Sequence, residues 1–313
     1  MSKFDKPFII FGCNGGFGTI FTNKLLSEGV RIIGIDLHNN ASNSEAPIQY
    51  LSNPSLDDNA ELQRAYSEAR GIILATPEDV SIEILPHVLK HAHPESVVMD
   101  LTSVKTNIAK TVSDLNPQCG YVSIHPLFPP VPDFSGRTVA YIELANNASA
   151  DLFLSLLDSW GATVVKMSAE AHDKATSVTQ SLPHAALLAF GLTVLKSGVS
   201  FETIWTMSTP IQRTMLGLLR RVAGRDELVH FDLQNTNPYA DAIRTELSSS
   251  LKLVSQASKE EKPDDFILIA SEINAMLNAV QHQIDQVAAN IVNLTPRNQK
   301  SRPSDSLDDL EIE

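Results

Sequence analysis

The feature that most narrows the fold of this chain is a short apolar run that stops at glycines and passes at once into helical periodicity. Pro7-Phe8-Ile9-Ile10-Phe11-Gly12 has no polar position to turn toward water, as in a strand whose sheet is covered on both faces. Phe17, Ile20, Phe21, Leu25 and Leu26 then recur at three- and four-residue spacing until Glu28-Gly29, and the segment from Val30 to Asp36 reads as a second buried strand. Strand, helix and strand in this order form a βαβ unit, whose strands lie parallel.

The same alternation continues. Strand patterns recur at 71–75, 96–101, 121–124, 138–142 and 163–167, with a helical pattern at 78–92. The predicted fold class is therefore α/β over residues 1–168, a Rossmann-type, doubly wound, mostly parallel sheet. From about residue 170 strand patterns vanish and apolar positions keep helical spacing over 170–198, 201–223, 238–258 and 262–292. Residues 169–294 should form an all-α domain whose long amphipathic helices can interlock two subunits into a homodimer. The polar, proline-containing and finally acidic stretch 295–313 is expected to be disordered. At 313 residues the chain has length enough for both cores.

Charge excludes several partner classes. Thirty-seven acidic against 24 basic residues give a net charge of −13, which disfavours a nucleic-acid groove or an anionic membrane surface and leaves a small molecule as the expected ligand. Two cysteines, Cys13 and Cys119, make neither a disulfide framework nor a zinc motif, so no metal is expected. The chain has no secretory h-region and no uninterrupted apolar run of about 18 residues, and a cytoplasmic location follows as an expectation.

The loop after the first strand is Gly12-Cys13-Asn14-Gly15-Gly16-Phe17-Gly18. Glycines there bring backbone N–H groups close to a pyrophosphate, and the helix beginning at the loop adds its positive end. Asp36, closing the second strand, is where an acid would hydrogen-bond the adenosine ribose and repel a 2′-phosphate. Gly12, Gly15, Gly16, Phe17, Gly18 and Asp36 are therefore candidate NAD-binding residues. The loop reads GxxGxxG, with Cys13 at the place of a glycine. Ala75-Thr76-Pro77 ends a further strand, which makes Thr76 and Pro77 candidate neighbours of the cofactor.

Two more strands end in polar residues, at Asp100-Leu101-Thr102-Ser103-Val104-Lys105 and at Ser123-Ile124-His125-Pro126. Imidazole titrates near neutrality, and a following proline restricts the backbone, so His125 is the candidate general base. Lys105 can be read as catalytic or as structural. The surface reading suits His87, His91, His93, His230 and His282, none of which has a partner motif.

Taken together, the glycine-rich loop, Asp100 to Lys105, His125-Pro-Leu-Phe128, Ala171-His-Asp173, Gln180-Ser-Leu-Pro-His184 with Gly191, and Thr209-Pro-Ile-Gln-Arg213 resemble the prephenate dehydrogenase family, in order and at similar separations over residues 7 to 260. The resemblance implies oxidative decarboxylation of a cyclohexadienyl acid: C4 of the ring loses a hydride, a base takes the C4 hydroxyl proton, and carbon dioxide departs. It also implies roles. His125 matches the base, Ser103 the residue hydrogen-bonded to it near the nicotinamide, and Arg213 the arginine that grips the substrate carboxylate. His172, Gln180 and His184 fall on the helix that faces the family's cleft; spacings of eight and four residues put them near one face, although Pro183 should interrupt that helix.

The match departs from the family pattern after the histidine. Where a glycine and an acid are common, this chain has Pro129-Pro130-Val131, which supplies no carboxylate for a side-chain amine and so disfavours arogenate. Prephenate is the first substrate expected, with 4-amino-4-deoxyprephenate or, less favoured, arogenate as the alternatives. A catalytically silent NAD-binding regulatory protein is the reading from a different class.

Overall fold

The computed structural model describes residues 6–37, 48–52, 59–224, 227–259 and 263–293. The expected disorder of 295–313 lies outside them. By compactness the chain divides into two units, one within 1–183 and 226–245, the other within 184–225 and 246–313.

The first unit is built on eight strands in the order β3-β2-β1-β4-β5-β6-β7-β8. These are β1 (Phe8–Phe11), β2 (Ile32–Asp36), β3 (Ile48–Ser52), β4 (Gly71–Leu74), β5 (Val97–Asp100), β6 (Gly120–Pro126), β7 (Thr138–Ala145) and β8 (Thr163–Lys166). All neighbours pair in parallel except β6 and β7. The mostly parallel, doubly wound sheet expected from the sequence is thus present. Its order reverses between β1 and β4, and in such sheets ligands bind beyond the carboxyl ends of the strands at that reversal.

Helices α1 (Gly16–Ser27), α2 (Ala60–Glu68), α3 (Glu78–His91), α4 (Thr106–Leu115) and α5 (Ala148–Ser159) alternate with the strands. Alternate residues of β1 feed two cores: Phe8 and Ile10 join Phe21, Leu25, Met99 and Phe153, while Ile9 and Phe11 join Leu62, Tyr66, Ile72 and Leu85. A strand with both faces buried has no place for a polar side chain, hence the unbroken apolar run.

Beyond the sheet come α6 (Ala169–Thr176), a π-helical turn (Ser177–Ser181), α7 (Leu182–Lys196), α8 (Phe201–Thr206), α9 (Pro210–Ala223), α10 (Glu227–Asn235), α11 (Ala240–Ala257), α12 (Asp264–Leu277) and α13 (Gln281–Asn293). The interruption expected at Pro183 is replaced by that π turn. Proline has no N–H to offer Thr179 and its ring would collide with that carbonyl, so the wider turn just before it lets the helix continue. The 28 helical residues from Ala169 to Lys196 are long and apolar enough by composition to cross a membrane. In the second unit Leu192, Leu195, Trp205, Ile211, Ile273 and Met276 are exposed on a single chain.

Candidate active site

The glycine-rich loop leaves β1 through Gly12, whose φ of 70° belongs to the left-handed region that favours glycine. Its N–H donates to Ile35 O at 2.8 Å, holding the loop on β2, and Asn14 N–H donates to Asp36 Oδ2 at 2.9 Å. Helix α1 starts with Gly15 as N-cap, without a side-chain cap and without an acid in its first turn. Those backbone donors and the positive helix end suit an anionic pyrophosphate, and Asp36 stands at the loop as the ribose acid should. NAD fits these residues.

Gly18 sits where a Cβ would run into Gly12 O and the Cys13 backbone. Gly18→Ala is accordingly expected to cost about 2–3 kcal/mol through forced separation of α1 from the loop, read by urea unfolding. A loss under about 0.5 kcal/mol would show that helix and loop part freely. Cys13, within the loop, has its thiol pushed up to about 11 by burial and by nearby Asp36, so it stays neutral. The unusual segment after His125 lies on this loop as well. A Cβ on Gly16 would come within 2.9 Å of Pro130 Cγ, and the Phe17 and Phe128 rings meet edge to face at 6.0 Å. At the end of β4, Thr76 Oγ1 lies 2.8 Å from Ser81 Oγ, and Pro77 is the N-cap of α3.

Beneath the ends of β5 and β6 is a closed polar network. Asp100 Oδ1 accepts from Thr102 N at 3.1 Å, Thr102 Oγ1 at 2.6 Å, Ser123 Oγ at 2.9 Å and Lys105 Nζ at 3.1 Å, while Oδ2 accepts from Tyr121 OH at 3.0 Å. Lys105 Nζ also donates to Ile124 O at 2.8 Å, next to His125. Both partners of this ion pair are fully buried. Burial draws the Lys105 pKa down despite Asp100, and it drives Tyr121 well up. Of the two readings open for Lys105, the buried placement favours the structural one.

His125 is buried at the end of β6, and its Nδ1 lies 2.9 Å from His172 Nε2 on α6. His172 Nδ1 lies 2.8 Å from Asp173 Oδ1. Asp173 also caps α4, accepting from Lys105 N at 2.9 Å, Thr106 N at 2.8 Å and Thr106 Oγ1 at 2.6 Å. Burial alone would raise the Asp173 carboxyl, but hydrogen bonds from His172, Thr106 and the Lys105 backbone outweigh it and hold the pKa below its ordinary value. Burial first, then the Lys105 charge and the proximity of the His172 ring, keep the pKa of His125 well below 6.5, and His125 is hence neutral near pH 7.

The ring partner expected for His125 from the sequence was Ser103; the structure gives it His172. Ser103 is half-buried in the β5–α4 loop and makes no hydrogen bond among the described residues, whereas α6 brings His172 against the ring from 47 residues away in sequence. His172, taken as a substrate contact, has both ring nitrogens engaged inside the protein and is 1% exposed. Gln180 lies in the π turn with a buried Oε1 that has no hydrogen-bond partner. His184 and Arg213 belong to the second unit; Arg213 lies over the Trp205 ring at 5.2 Å, with a buried, unpartnered Nε. Asp173 was the residue that sequence reasoning missed as part of this cluster, although its adjacency to His172 was visible. The surface reading of the other histidines holds for His282 alone; His87 and His91 pack on Tyr66 of α2, at 5.6 and 6.3 Å, and His93 and His230 are half-buried.

A parallel sheet with a glycine-rich turn at its reversal point, an acid closing β2 and a buried neutral histidine at a neighbouring strand end define a dinucleotide-dependent dehydrogenase. The family follows from comparison. The prephenate dehydrogenase nucleotide-binding domain matches residues 21–150 and the prephenate dehydrogenase dimerization domain residues 168–271. The chain belongs to the prephenate dehydrogenase family of NAD-dependent oxidoreductases.

A 4-amino-4-deoxyprephenate dehydrogenase of Streptomyces pristinaespiralis is 29% identical over 90% of this chain and 94% of its own length. A probable arogenate/prephenate dehydrogenase of Methanocaldococcus jannaschii is 24% identical over 84% of this chain, which spans only 59% of that protein. Among solved structures, a putative prephenate dehydrogenase from Corynebacterium glutamicum superposes with a TM-score of 0.70 at 21% identity, covering 89% of each chain. Prephenate dehydrogenase from A. aeolicus, solved with hydroxyphenyl propionate and NAD+, gives 0.65 at 19% identity, covering 92% of this chain and 100% of that one.

Proposed function

We propose that this protein carries out oxidative decarboxylation of a cyclohexadienyl acid whose C4 bears an amine or a hydroxyl, with 4-amino-4-deoxyprephenate favoured over prephenate. The observation carrying the reaction is the state of His125: a buried, neutral imidazole with Nδ1 engaged and Nε2 left over for a proton. His125 takes the proton from the C4 substituent as C4 is oxidised, and the ring becomes aromatic as carbon dioxide leaves. Bound NAD supplies the acceptor for the C4 hydride. The glycines at 12, 15, 16 and 18, with Phe17, Thr76 and Pro77, cradle the dinucleotide, and Asp36 holds its ribose. Arg213 grips a substrate carboxylate, and Gln180 and His184 line the substrate site. The buried, unpartnered Gln180 Oε1 and Arg213 Nε each support a polar ligand. Ser103 stands near the nicotinamide.

The preference for the amine rests on the Streptomyces relative, which this chain matches over nearly the full length of both. The Pro129-Pro130-Val131 segment, without an acid, argues against arogenate. Prephenate is the second reading, carried by the two family domains. Following NADH at 340 nm would be uninformative about substrate unless the three acids are compared side by side. Turnover is expected on 4-amino-4-deoxyprephenate, with prephenate second; preferred use of arogenate would overturn the substrate assignment, and no turnover on any would overturn the reaction.

Residues 169–294 serve as the substrate-binding and dimerisation domain, and the exposed apolar side chains of the helical unit are covered by a second copy in a homodimer. Removing the charge of Asp36 with Asp36→Asn should raise kcat/KM for NADP relative to NAD by about tenfold, the size of one exposed like-charge repulsion. An unchanged ratio would assign cofactor choice to another residue.

A further inference from the structure

The cluster around His125 constrains its protons more tightly than a lone histidine would be. Asp173 Oδ1 already accepts from Lys105 N–H, and the carboxylate has no proton of its own to give, so the 2.8 Å contact from His172 Nδ1 requires a proton on that nitrogen. In a neutral imidazole the other nitrogen is then bare. His172 Nε2 can only accept, and the 2.9 Å contact to His125 requires a proton on His125 Nδ1. What remains on His125 is a lone pair at Nε2.

We propose that Asp173 and His172 form a positioning relay that fixes the neutral tautomer of His125, so that Nε2 is the basic nitrogen; this rests on the reading of His125 as the base. Neither residue touches the reacting atoms. Asp173 is itself immobilised: Thr106 N–H and hydroxyl hold Oδ2, Asn237 Nδ2 donates to its backbone carbonyl at 2.9 Å, and its carboxylate sits at the positive N-terminal end of α4. The opposite arrangement is chemically definite. A His172 carrying protons on both nitrogens would donate to His125 Nδ1, leave the His125 proton on Nε2, and remove the base.

The ring-nitrogen resonances of the full-length protein labelled with 15N-histidine distinguish the two, with His125 identified by the signals lost in His125→Asn. A pyrrole-type Nδ1 and a pyridine-type Nε2 are expected for His125; a pyrrole-type Nε2 overturns the relay. His172→Leu should scramble this tautomer and lower kcat by about 100-fold with KM for acid and NAD within about threefold, since tautomer control acts on the proton-transfer step. His172→Gln, whose amide oxygen can accept from Nδ1–H, should restore at least about tenfold of that loss and the wild-type nitrogen pattern. A His172→Leu kcat within about twofold of wild type would also overturn the relay. Should His172→Leu fail to fold, the wild-type spectrum and His172→Gln still decide. Absence of turnover on every acid by the wild type would sink the assigned reaction while leaving the tautomer measurement intact.

Discussion

His125→Asn is expected to reduce kcat by about 10³-fold while KM for both the acid and NAD stays within a few fold, the pattern of a lost general base. Asparagine is the informative replacement because its Nδ2 can occupy the place of Nδ1 and donate to His172 Nε2, so the buried contact at 2.9 Å is kept while the second nitrogen disappears. The fold should therefore survive, with an unfolding midpoint close to that of wild type. Loss of activity together with a large loss of stability would leave the base untouched as an explanation, so both must be measured on the same preparation. A variant with kcat within tenfold of wild type would show that His125 is not the base.

How much of this was legible in the sequence depended on what each residue had to satisfy. Seven of the eight strands announced themselves; β1, β4 and β5 are buried along their whole length and so tolerate few polar positions. The eighth, β3, was missed because it pairs only with β2 at the sheet edge, where exposed Gln49 and half-buried Tyr50 break any apolar run. Helix α2 went unmarked for a related reason: Leu62, Ala65 and Tyr66 are its only buried side chains among the described residues, a stripe too thin to establish a period, though Asn59 caps it through Leu62 N–H at 3.0 Å.

The site shows the same division between local and distant information. Motifs identified His125, His172 and Asp173 as residues worth attention, but which of them meet depends on contacts spanning 47 and 68 positions. No spacing rule reaches that far. Ser103 was expected as the partner of His125 only through the family resemblance; α6, entering from beyond the sheet, supplies His172 instead.

Lys105→Met should destabilise the protein by about 3–5 kcal/mol, the cost of leaving one member of a buried ion pair behind. Asp100 would keep the donors Thr102 N, Thr102 Oγ1, Ser123 Oγ and Tyr121 OH, so a loss toward the lower end of that range is expected, whereas Asp100→Leu would strand an ammonium with only Thr102 Oγ1 and Ile124 O as acceptors and cost more. Urea unfolding of the two variants gives the order, and a loss under about 1 kcal/mol in both would contradict it. The lysine has a second effect, on the base. The pKa of His125 is depressed first by burial and then by the Lys105 charge, so removing that charge should move the acid limb of kcat/KM to higher pH. The sign carries into stability. In the wild type, acidification below about 6.5 protonates the unfolded state but not the native His125, and stability falls by up to about 1.4 kcal/mol per pH unit until the native pKa is reached. In Lys105→Met that native value lies nearer the unfolded one, so the variant, though less stable near pH 7, should lose less to acid through this histidine. An acid limb and an acid slope both unchanged would show that His125 does not feel the lysine beneath it.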